Sequence, residues 1–398
     1  MALSYRSAFI RNLRELAMSF NGWRKVKLGD IADIVMGQSP ESKYYNNAGL
    51  GLPFLQGNRT FGYKHPTYDT YCTSGNKFAD PNDVLLSVRA PVGDLNVTKD
   101  RICIGRGLAS LSMKNGNNEY LYYLLKANIS ELISRESGTV YGSVNRNDIS
   151  DFEVKVVDSD EKQRRIAGIL SALDDKIELN RQTNATLEAI AQAIFKEWFV
   201  NFNYPGATGE LVESELGLIP SGWRVGKFGN LVIINSGKGL KREEFIETGY
   251  PVLGANGQLG YTGKYLLDEE AVLTGRVGTL GTFQIVNEKV WISDNVLIMR
   301  PNEKENYYFS YFWIRSIDFS NLNRGSTQPL VTKTDLLNLP LMIPDPYLLH
   351  LFDAFCRALF ASIENNRKQT RTLAAIRDDL LPRFMNGEIE ANKRNNGN

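Results

Sequence analysis

Apolar residues recur at alternating intervals of three and four along residues 162–200, which is the spacing of a heptad seam on one helix face. The seam positions are Ile166, Leu170, Leu173, Ile177, Asn180, Asn184, Leu187, Ala191, Ile194 and Trp198. A second segment repeats this register with Phe352, Cys356, Leu359, Ile363, Asn366, Thr370, Leu373, Arg377, Leu380 and Phe384. The pattern predicts two long helices whose seams are both polar in the middle.

The matched polar positions favour pairing of the two helices with each other, although two separate amphipathic core helices stay open as an interpretation. Polar seam residues reduce stability but fix register and orientation. If a pseudo-two-fold axis crosses the pair, the helices must be antiparallel. At 1.5 Å per residue, about 38 residues extend roughly 55–60 Å, which exceeds one turn of DNA at about 34 Å. We therefore expect the helices to act as a spacer.

The chain also repeats outside these helices. NGWRKVKLGD (21–30) returns as SGWRVGKFGN (221–230), with five of ten positions identical. GLPFLQGNRTFGY (51–63) aligns with GYPVLGANGQLGY (249–261), and IELNRQTNATL (177–187) with IENNRKQTRTL (363–373). The repeated motifs begin at residues 21 and 221, and a repeat unit of that length is too long for a solenoid. The sequence therefore predicts the tandem duplication of a whole domain plus one helix. We expect Trp23 and Trp223 to pack where each domain meets the helices.

Each copy has the same order of predicted elements. DVLLSVRAPVG (83–93) resembles AVLTGRVG (271–278), which places Arg89 and Arg276 at comparable positions. Each copy continues with strand-like runs, RICIGRGLASLSM and VWISDNVLIMRP, then a helix-like aromatic stretch and a polar loop. The pattern indicates an α+β fold of two tandem, pseudo-symmetric domains.

Composition narrows the function classes. The net charge is +1, from 46 basic and 45 acidic residues, so any nucleic-acid surface must be made by local placement of charge. Three scattered cysteines fit a reducing compartment, and the two histidines stand in no metal-ligand pattern. No run of 18 apolar residues exists. We expect a cytoplasmic protein without a metal site, beginning with a short amphipathic helix.

No catalytic motif stands out in the sequence. GRVGTLG (275–281) resembles a nucleotide-binding loop, but the strand-like TFQIV follows it, so a hairpin is the better interpretation. DPYLL (345–349) lacks the second proline of an amino-group methyltransferase motif and is interpreted as an interdomain linker.

Polar and basic residues concentrate in the predicted loops of both copies. Arginine, asparagine, glutamine and serine side chains can hydrogen-bond base edges, and arginine and lysine also bind phosphates. We predict that DNA is contacted in the first copy by Asn58, Arg59, Arg89, Arg106, Tyr141, Ser143, Asn145 and Arg146. The residues predicted to do so in the second copy are Lys238, Lys241, Arg242, Asn256, Gln258, Arg276, Arg324, Ser326, Thr327, Gln328 and Lys333.

Nearly the whole chain resembles the specificity subunit of type I restriction–modification systems. The resemblance is carried by the openings GW…KLGDI and LGLIPSGW…KFGNL and by the helix phrases IELN, IFKEWFVNF and LLPRFMNGEI. It implies two target recognition domains, at 21–157 and 204–344, and two conserved helices, at 158–203 and 345–390. An N-terminal helical segment (1–20) and a disordered tail (391–398) complete the expected organisation.

The resemblance implies a non-catalytic subunit that recognises a bipartite site in double-stranded DNA. Two modification subunits with S-adenosylmethionine would dock on the helices, and restriction subunits using Mg and ATP would join them, so this chain would itself carry no cofactor. Two alternatives stay open. In the first alternative, the chain is related to an orphan DNA methyltransferase. In the second, it is a coiled-coil scaffold whose globular units bind protein.

Overall fold

The computed structural model describes residues 22–134, 142–277, 280–322 and 330–389; the predicted N-terminal helix and tail lie outside them. The chain divides into two compact units. Unit 1 comprises the chain up to residue 182 together with the chain from residue 366, and unit 2 comprises residues 183–365. Each of the two long helices therefore contributes one segment to each unit.

The described residues of unit 1 form short strands arranged in three sheets. Its strands are β1 (Trp23–Lys27), β2 (Ala32–Met36), β3 (Tyr45–Asn46), β4 (Leu52–Leu55), β5 (Tyr71–Cys72), β6 (Phe78–Ala79), β7 (Val84–Ser87), β8 (Leu95–Val97), β9 (Ile102–Ile104), β10 (Leu108–Met113) and β11 (Glu153–Val157). The sheets have the strand orders β1-β11, β2-β10-β7-β8 and β3-β5-β4-β9-β6. The helices of the domain are α1 (Leu28–Ile31), α2 (Asn118–Ile133) and α3 (Arg146–Ser150), and the long helix α4 (Asp160–Phe199) follows.

Unit 2 repeats this order after an additional hairpin, β12 (Leu211–Ser214) and β13 (Gly217–Pro220). Its other strands are β14 (Arg224–Lys227), β15 (Val232–Ser236), β16 (Phe245–Ile246), β17 (Tyr250–Gly254), β18 (Gly257–Thr262), β19 (Ala271–Gly275), β20 (Phe283–Val286), β21 (Trp291–Ile292), β22 (Val296–Pro301) and β23 (Pro340–Ile343). They form the sheets β14-β23, β15-β22-β19-β20 and β16-β18-β17-β21. The helices are α5 (Asn306–Arg315), α6 (Lys333–Leu337) and the long helix α7 (Pro346–Asn386).

This architecture confirms the predicted α+β class and the duplication. The strand-like runs are β9 with β10 and β21 with β22, and the aromatic stretches are the helices α2 and α5. In both units the first strand of the domain pairs antiparallel with the last, as Trp23 with Val157 and Arg224 with Ile343. The domain boundaries proposed from the sequence stay predictions.

The segments of α4 and α7 run antiparallel in unit 1, as predicted, and pack against each other in unit 2. In unit 1, Nδ2 of Asn180 lies 2.8 Å from Oε1 of Gln369, and Asp174 contacts Arg377. Higher residue numbers in α4 therefore pair with lower residue numbers in α7. In unit 2, Phe195 packs against Phe352, with ring centroids 6.0 Å apart. The seam is most deeply buried near the helix ends, whereas at its centre Asn184, Leu187, Asn366 and Thr370 are only half-buried.

The interpretation of DPYLL as a linker is wrong, because α7 already begins at Pro346. Asp345 caps the helix, since its side chain accepts from the backbone N–H of Tyr347 at 2.7 Å. An aspartate cap followed by proline at the first helical position is a favoured helix start, because proline lacks an N–H that would there be unpaired.

The predicted packing of the two tryptophans is confirmed. Trp223 is 7% exposed and lies 6.0 Å from the Phe199 ring at the end of α4. Trp23 lies against Gly387, just after α7, where an added Cβ would come within 2.7 Å of the indole nitrogen. Each tryptophan therefore anchors the first strand of its domain to the end of a long helix.

A buried polar cluster around Asp174 joins four pieces of unit 1. Asp174 is fully buried on α4, and its carboxylate accepts from Arg377 of α7 at 2.6 Å. It also accepts from Tyr63, which follows β4 in the chain, at 2.6 Å and from Tyr123 of α2 at 2.9 Å. Lys126 lies 3.6 Å away. This cluster, which we call the Asp174 cluster, therefore fixes the domain to both helices.

The corresponding place in unit 2 is aromatic. The alignment of the helix repeats puts Phe360 at the position of Asp174 and Ala191 at that of Arg377. Phe360 packs against Phe312 of α5, with ring centroids 6.2 Å apart, and Ala191 is fully buried. At these two positions the joint is charged in unit 1 and apolar in unit 2, where the charged contact between α4 and α5 is made elsewhere, by Glu188 with Arg315.

The pKa of Asp174 reflects this environment. Burial by itself raises the pKa, but Lys126, Tyr63 and Arg377 together hold it below the ordinary value of 3.8. Charge-assisted hydrogen bonds to a carboxylate favour its ionised form. The carboxylate is consequently ionised at neutral pH despite its burial.

No helix among the described residues is long and apolar enough to cross a membrane.

Replacing the arginine of the Asp174 cluster tests its energetic role. We expect Arg377→Ala to lower the free energy of unfolding by about 3–5 kcal/mol, because Asp174 is left charged and buried. Arg24→Ala is the control, since the Arg24–Asp158 pair is more than half exposed, with side chains 58% and 52% accessible, and should cost less than about 1 kcal/mol. Urea unfolding measures both, and equal losses would contradict the role of burial.

The depressed pKa predicts how Asp174→Asn behaves on acidification. A carboxyl whose folded-state pKa is depressed stabilises the fold fully above its unfolded pKa, near 3.8, and this stability is lost as pH falls through the folded pKa. We therefore expect wild type to exceed the variant in stability at neutral pH and the difference to shrink below that value. Unfolding measured from pH 7 to pH 2 checks this, and a constant difference would refute it.

Candidate nucleic-acid interface

A cleft of about 580 Å³ opens in unit 1 where several loops converge. The loops follow β2, β4 and β9. The lining residues are Ser39, Tyr45, Phe54, Leu55, Gln56, Gly57, Arg59, Thr60, Thr70 and Arg106. Two of the sequence-predicted DNA contacts, Arg59 and Arg106, thus come together at one site, which we call the unit 1 cleft.

Backbone hydrogen bonds hold the loops of the cleft in place. Gly37 N–H donates to Leu108 at 2.8 Å, and Gly105 N–H donates to Leu55 at 2.8 Å. The tip is closed by side chains: Ser39 Oγ accepts from the Arg106 N–H at 3.2 Å and donates to Gln56 Oε1 at 2.8 Å. The backbone that carries Arg106 is therefore fixed, while its side chain is exposed.

Glycine is required at two positions of this frame. A Cβ at Gly37 would lie 2.1 Å from the carbonyl oxygen of Gly105, and a Cβ at Gly105 would lie 2.9 Å from Cα of Gln56. Both clashes involve backbone atoms, so no side-chain rotation would relieve them.

Unit 2 repeats the frame with matching bonds. Gly237 N–H donates to Val296 at 2.9 Å, as Gly37 does to Leu108, and Ser293 N–H donates to Leu253 at 2.9 Å, as Gly105 does to Leu55. A Cβ at Gly237 would lie 2.1 Å from the carbonyl oxygen of Ser293. The two units therefore present loop tips on the same backbone frame.

Several of the predicted DNA-contact residues of unit 1 also make contacts within the protein. Asn145 caps α3, accepting from the N–H groups of Asn147 and Asp148 at 2.8 and 3.1 Å. Asn58 donates to Asp94, and Arg59 pairs with Asp69 at 2.7 Å. These side chains already have structural partners, which the residue type alone could not reveal.

The remaining predicted cations of unit 1 lie at exposed loop or helix-end positions. Arg106 makes no side-chain hydrogen bond or ion pair to the described residues. Arg89 is exposed next to Ser143, with which it forms an isolated β-bridge, and Arg146 is the exposed first residue of α3.

In unit 2 three of the predicted cations lie on the loop after β15. Lys238, Lys241 and Arg242 are all exposed there. Asn256 and Gln258 lie at the β17–β18 turn, where Gln258 donates to Gly260 at 3.3 Å, and Lys333 is the exposed first residue of α6. Tyr141, Arg324, Ser326, Thr327 and Gln328 lie outside the described residues.

The alignment of Arg89 with Arg276 is wrong by one residue. Arg276 N–H donates to Asn295 and its carbonyl accepts from Val331, whereas the matching bonds in unit 1 belong to Val88, with Gly107 and Val144. Arg276 is accordingly half-buried and Arg89 exposed. A one-residue shift in an extended segment turns a side chain to the opposite face.

The glycine-rich segment GRVGTLG is a connection between antiparallel strands, as predicted. β19 pairs with β20, with Thr274 opposite Phe283. A strand after the loop supplies no helix N-terminus for a phosphate, which removes the argument for a nucleotide-binding loop.

Sequence reasoning missed Ser39, Gln56 and Asp294 in the loop tips. Asp294 stands in unit 2 where Arg106 stands in unit 1, between the residues that match Gly105 and Gly107. The available signal was the pair of aligned glycine-rich segments that surround these residues, but their hydrogen-bond register was needed to align the tips.

Known proteins share this sequence pattern. The chain is 28% identical to the type I restriction enzyme MjaIX specificity subunit of Methanocaldococcus jannaschii, over 92% of this chain and 93% of that protein. It is 23% identical to the HindI specificity subunit of Haemophilus influenzae, over 68% of this chain and 77% of that protein.

A solved structure shares the fold. The S subunit of a type I restriction–modification system from M. genitalium superposes with a TM-score of 0.65 at 15% identity, over 92% of this chain and 98% of that chain. The sequence model of the family described as type I restriction modification DNA specificity domain matches residues 21–189 and 220–357, one match for each repeat. The chain therefore belongs to the family of type I restriction–modification DNA specificity domains.

Proposed function

We propose that this chain is the DNA-recognition subunit of a type I restriction–modification complex and that each unit binds one half of a bipartite site. The observation that carries this proposal is the repeated loop frame. Both units hold glycine-dependent loop tips by the same backbone bonds, yet the side chains at the tips differ. Two domains of one architecture with different contact residues suit a site with two different halves.

The distribution of charge supports DNA as the ligand. The chain as a whole has a net charge of +1, but Arg106 in unit 1 and Lys238, Lys241 and Arg242 in unit 2 are exposed at the loop tips. Local cations position a protein on the phosphate backbone even when the total charge is near zero. Partner subunits would contribute further phosphate contacts.

The long helices would set the unread spacer between the half-sites. Each is a continuous helix, of 40 residues for α4 and 41 for α7, and each contributes a segment to both units. A helix of that length extends about 60 Å. A change in helix length would consequently change the spacing of the half-sites without touching the loop tips.

Catalysis would reside in partner subunits. Two modification subunits would bind S-adenosylmethionine and methylate a base flipped out of the duplex, and restriction subunits would use ATP and Mg. The proposed assembly is cytoplasmic. The exposed faces of the helices, with Leu179 and Ile190 53% and 42% accessible, are the proposed docking surfaces for the modification subunits.

The methylation pattern of a host tests the proposal. The full chain, co-expressed with the modification subunit of its own system in a host without type I systems, should produce methylation at one bipartite motif, detected by sequencing of modified bases. The modification subunit alone should produce none. A chain that binds S-adenosylmethionine by itself would instead support the methyltransferase interpretation, and a complex without sequence preference would support a scaffold.

Shortening both helices tests the spacer. Asn180 of α4 donates to Gln369 of α7, and deleting residues 180–186 together with residues 363–369 removes one heptad from each helix. The expected result is an unread spacer shorter by about three base pairs, because seven residues extend about 10.5 Å and a base pair rises about 3.4 Å. Both half-sites should be unchanged.

A deletion in only one helix is the control, since it breaks the match between the seams and should abolish methylation. Altered half-site sequences in the doubly shortened protein would show that the helices take part in base recognition.

A further inference from the structure

The tips of the two loop frames carry opposite hydrogen-bonding groups. The bonds that align Gly105 with Ser293 and Leu108 with Val296 place Asp294 at the position of Arg106. Arg106 is a cation that can only donate, and Asp294 is a carboxylate that can only accept. Corresponding positions of the two units therefore require opposite partners.

The residues next to the two tips also differ between the units. Ser39 and Gln56, which support Arg106, have Gly239 and Gly254 as their counterparts in unit 2. A Cβ at Gly239 would lie 3.6 Å from Oδ2 of Asp294, so this loop passes close to the carboxylate without contributing a side chain at that position. Asp294 is exposed and accepts a hydrogen bond from Ser293 Oγ at 3.2 Å, whereas the polar side chains of Ser39 and Gln56 support the backbone of Arg106.

The loops next to the two tips, after β2 in unit 1 and after β15 in unit 2, also differ in charge. The loop after β15 carries Lys238, Lys241 and Arg242 followed by Glu243 and Glu244, whereas the loop after β2 has Gln38, Glu41 and Ser42 followed by Lys43 and Tyr44. An acidic residue near DNA is repelled by phosphates unless nearby cations offset it. Unit 2 has such cations beside its acidic tip, and unit 1 has fewer beside its basic tip.

We propose that Arg106 and Asp294 are corresponding specificity-determining residues and that Arg106 contacts a guanine while Asp294 contacts a cytosine. Guanine presents the acceptors O6 and N7 in the major groove, which suit an arginine fork. A carboxylate requires a donor, and the N4 amino group of cytosine supplies one. Adenine also has an amino group, but its N7 lone pair would lie beside the carboxylate and repel it.

This inference rests on the proposed function and adds the base at one position of each half-site. It distinguishes these two residues from Lys238, Lys241 and Arg242, whose role would be sequence-independent contact with phosphate. Removing a phosphate contact weakens binding to all sequences, whereas removing a base contact relaxes one base pair.

The experiment compares methylated motifs of variants of the full chain, each co-expressed with the modification subunit of its system. Arg106→Ala should lose about ten- to a hundredfold discrimination for a guanine at one base pair of one half-site. Asp294→Asn should change the preferred base at one pair of the other half-site from cytosine to adenine, because an amide can pair with N6 and N7 of adenine. The rest of the motif should be unchanged.

Two exposed residues outside the loop tips serve as matched controls. Lys99→Ala and Glu288→Gln remove one positive and one negative charge from unit 1 and unit 2, and neither should alter the motif. Arg106→Lys should retain guanine, because lysine donates to the same acceptors.

The outcomes separate this inference from the proposed function. If wild type methylates a bipartite motif but both tip variants leave it unchanged, the assignment of Arg106 and Asp294 is wrong and the proposed function stands. If wild type yields no motif at all, the proposed function itself fails. A motif altered in both half-sites by one variant would also overturn the assignment, since it would indicate a general structural effect.

Discussion

The joint of unit 1 depends on a carboxylate that is buried and charged. Asp174 is stable in that state because an arginine, two tyrosine hydroxyls and a nearby lysine surround it, and these groups come from α4, α7, α2 and the chain after β4. The complete set of partners compensates for the free energy of burying the charge. Removing any one partner would leave part of that large unfavourable free energy uncompensated. The position of the recognition domain on its two helix segments is therefore fixed by geometry as well as by apolar contact.

At the corresponding positions unit 2 has Phe360, which packs against Phe312, and Ala191, while the ion pair between α4 and α5 is formed by Glu188 and Arg315. Duplication explains why the joints occupy corresponding positions, and divergence explains their different chemistry. The two halves are therefore not interchangeable. If the part of α7 that pairs with Asp174 were replaced by the aligned part of α4, Ala191 would take the place of Arg377, and the Asp174 carboxylate would have no arginine partner. The Asp174 cluster thus favours the pairing of unlike helix segments, which is the role best attested for buried polar groups at helix seams.

Function on this scaffold is separated from stability. The loop frames are held by backbone bonds and by one glycine common to both units, Gly37 and Gly237, so the tips can vary without disturbing the sheets. Polar residues that appear equivalent in a sequence then divide into two groups. Asn58, Arg59 and Asn145 make side-chain hydrogen bonds or ion pairs within unit 1, whereas the Arg106 side chain makes neither with the described residues.

The sequence by itself determined the duplication, the two long helices, the α+β class and the family, because these depend on periodicity and on motifs that are local in the chain. The tertiary structure decided the rest. It showed that Asp174 meets Arg377, a pair more than two hundred residues apart, and that Arg276 corresponds to Val88, since strand register is set by hydrogen bonds and a one-residue shift reverses the face. It also brought Arg106 and Asp294 to corresponding tips, because the two loops differ too much in sequence to be aligned without their backbone bonds.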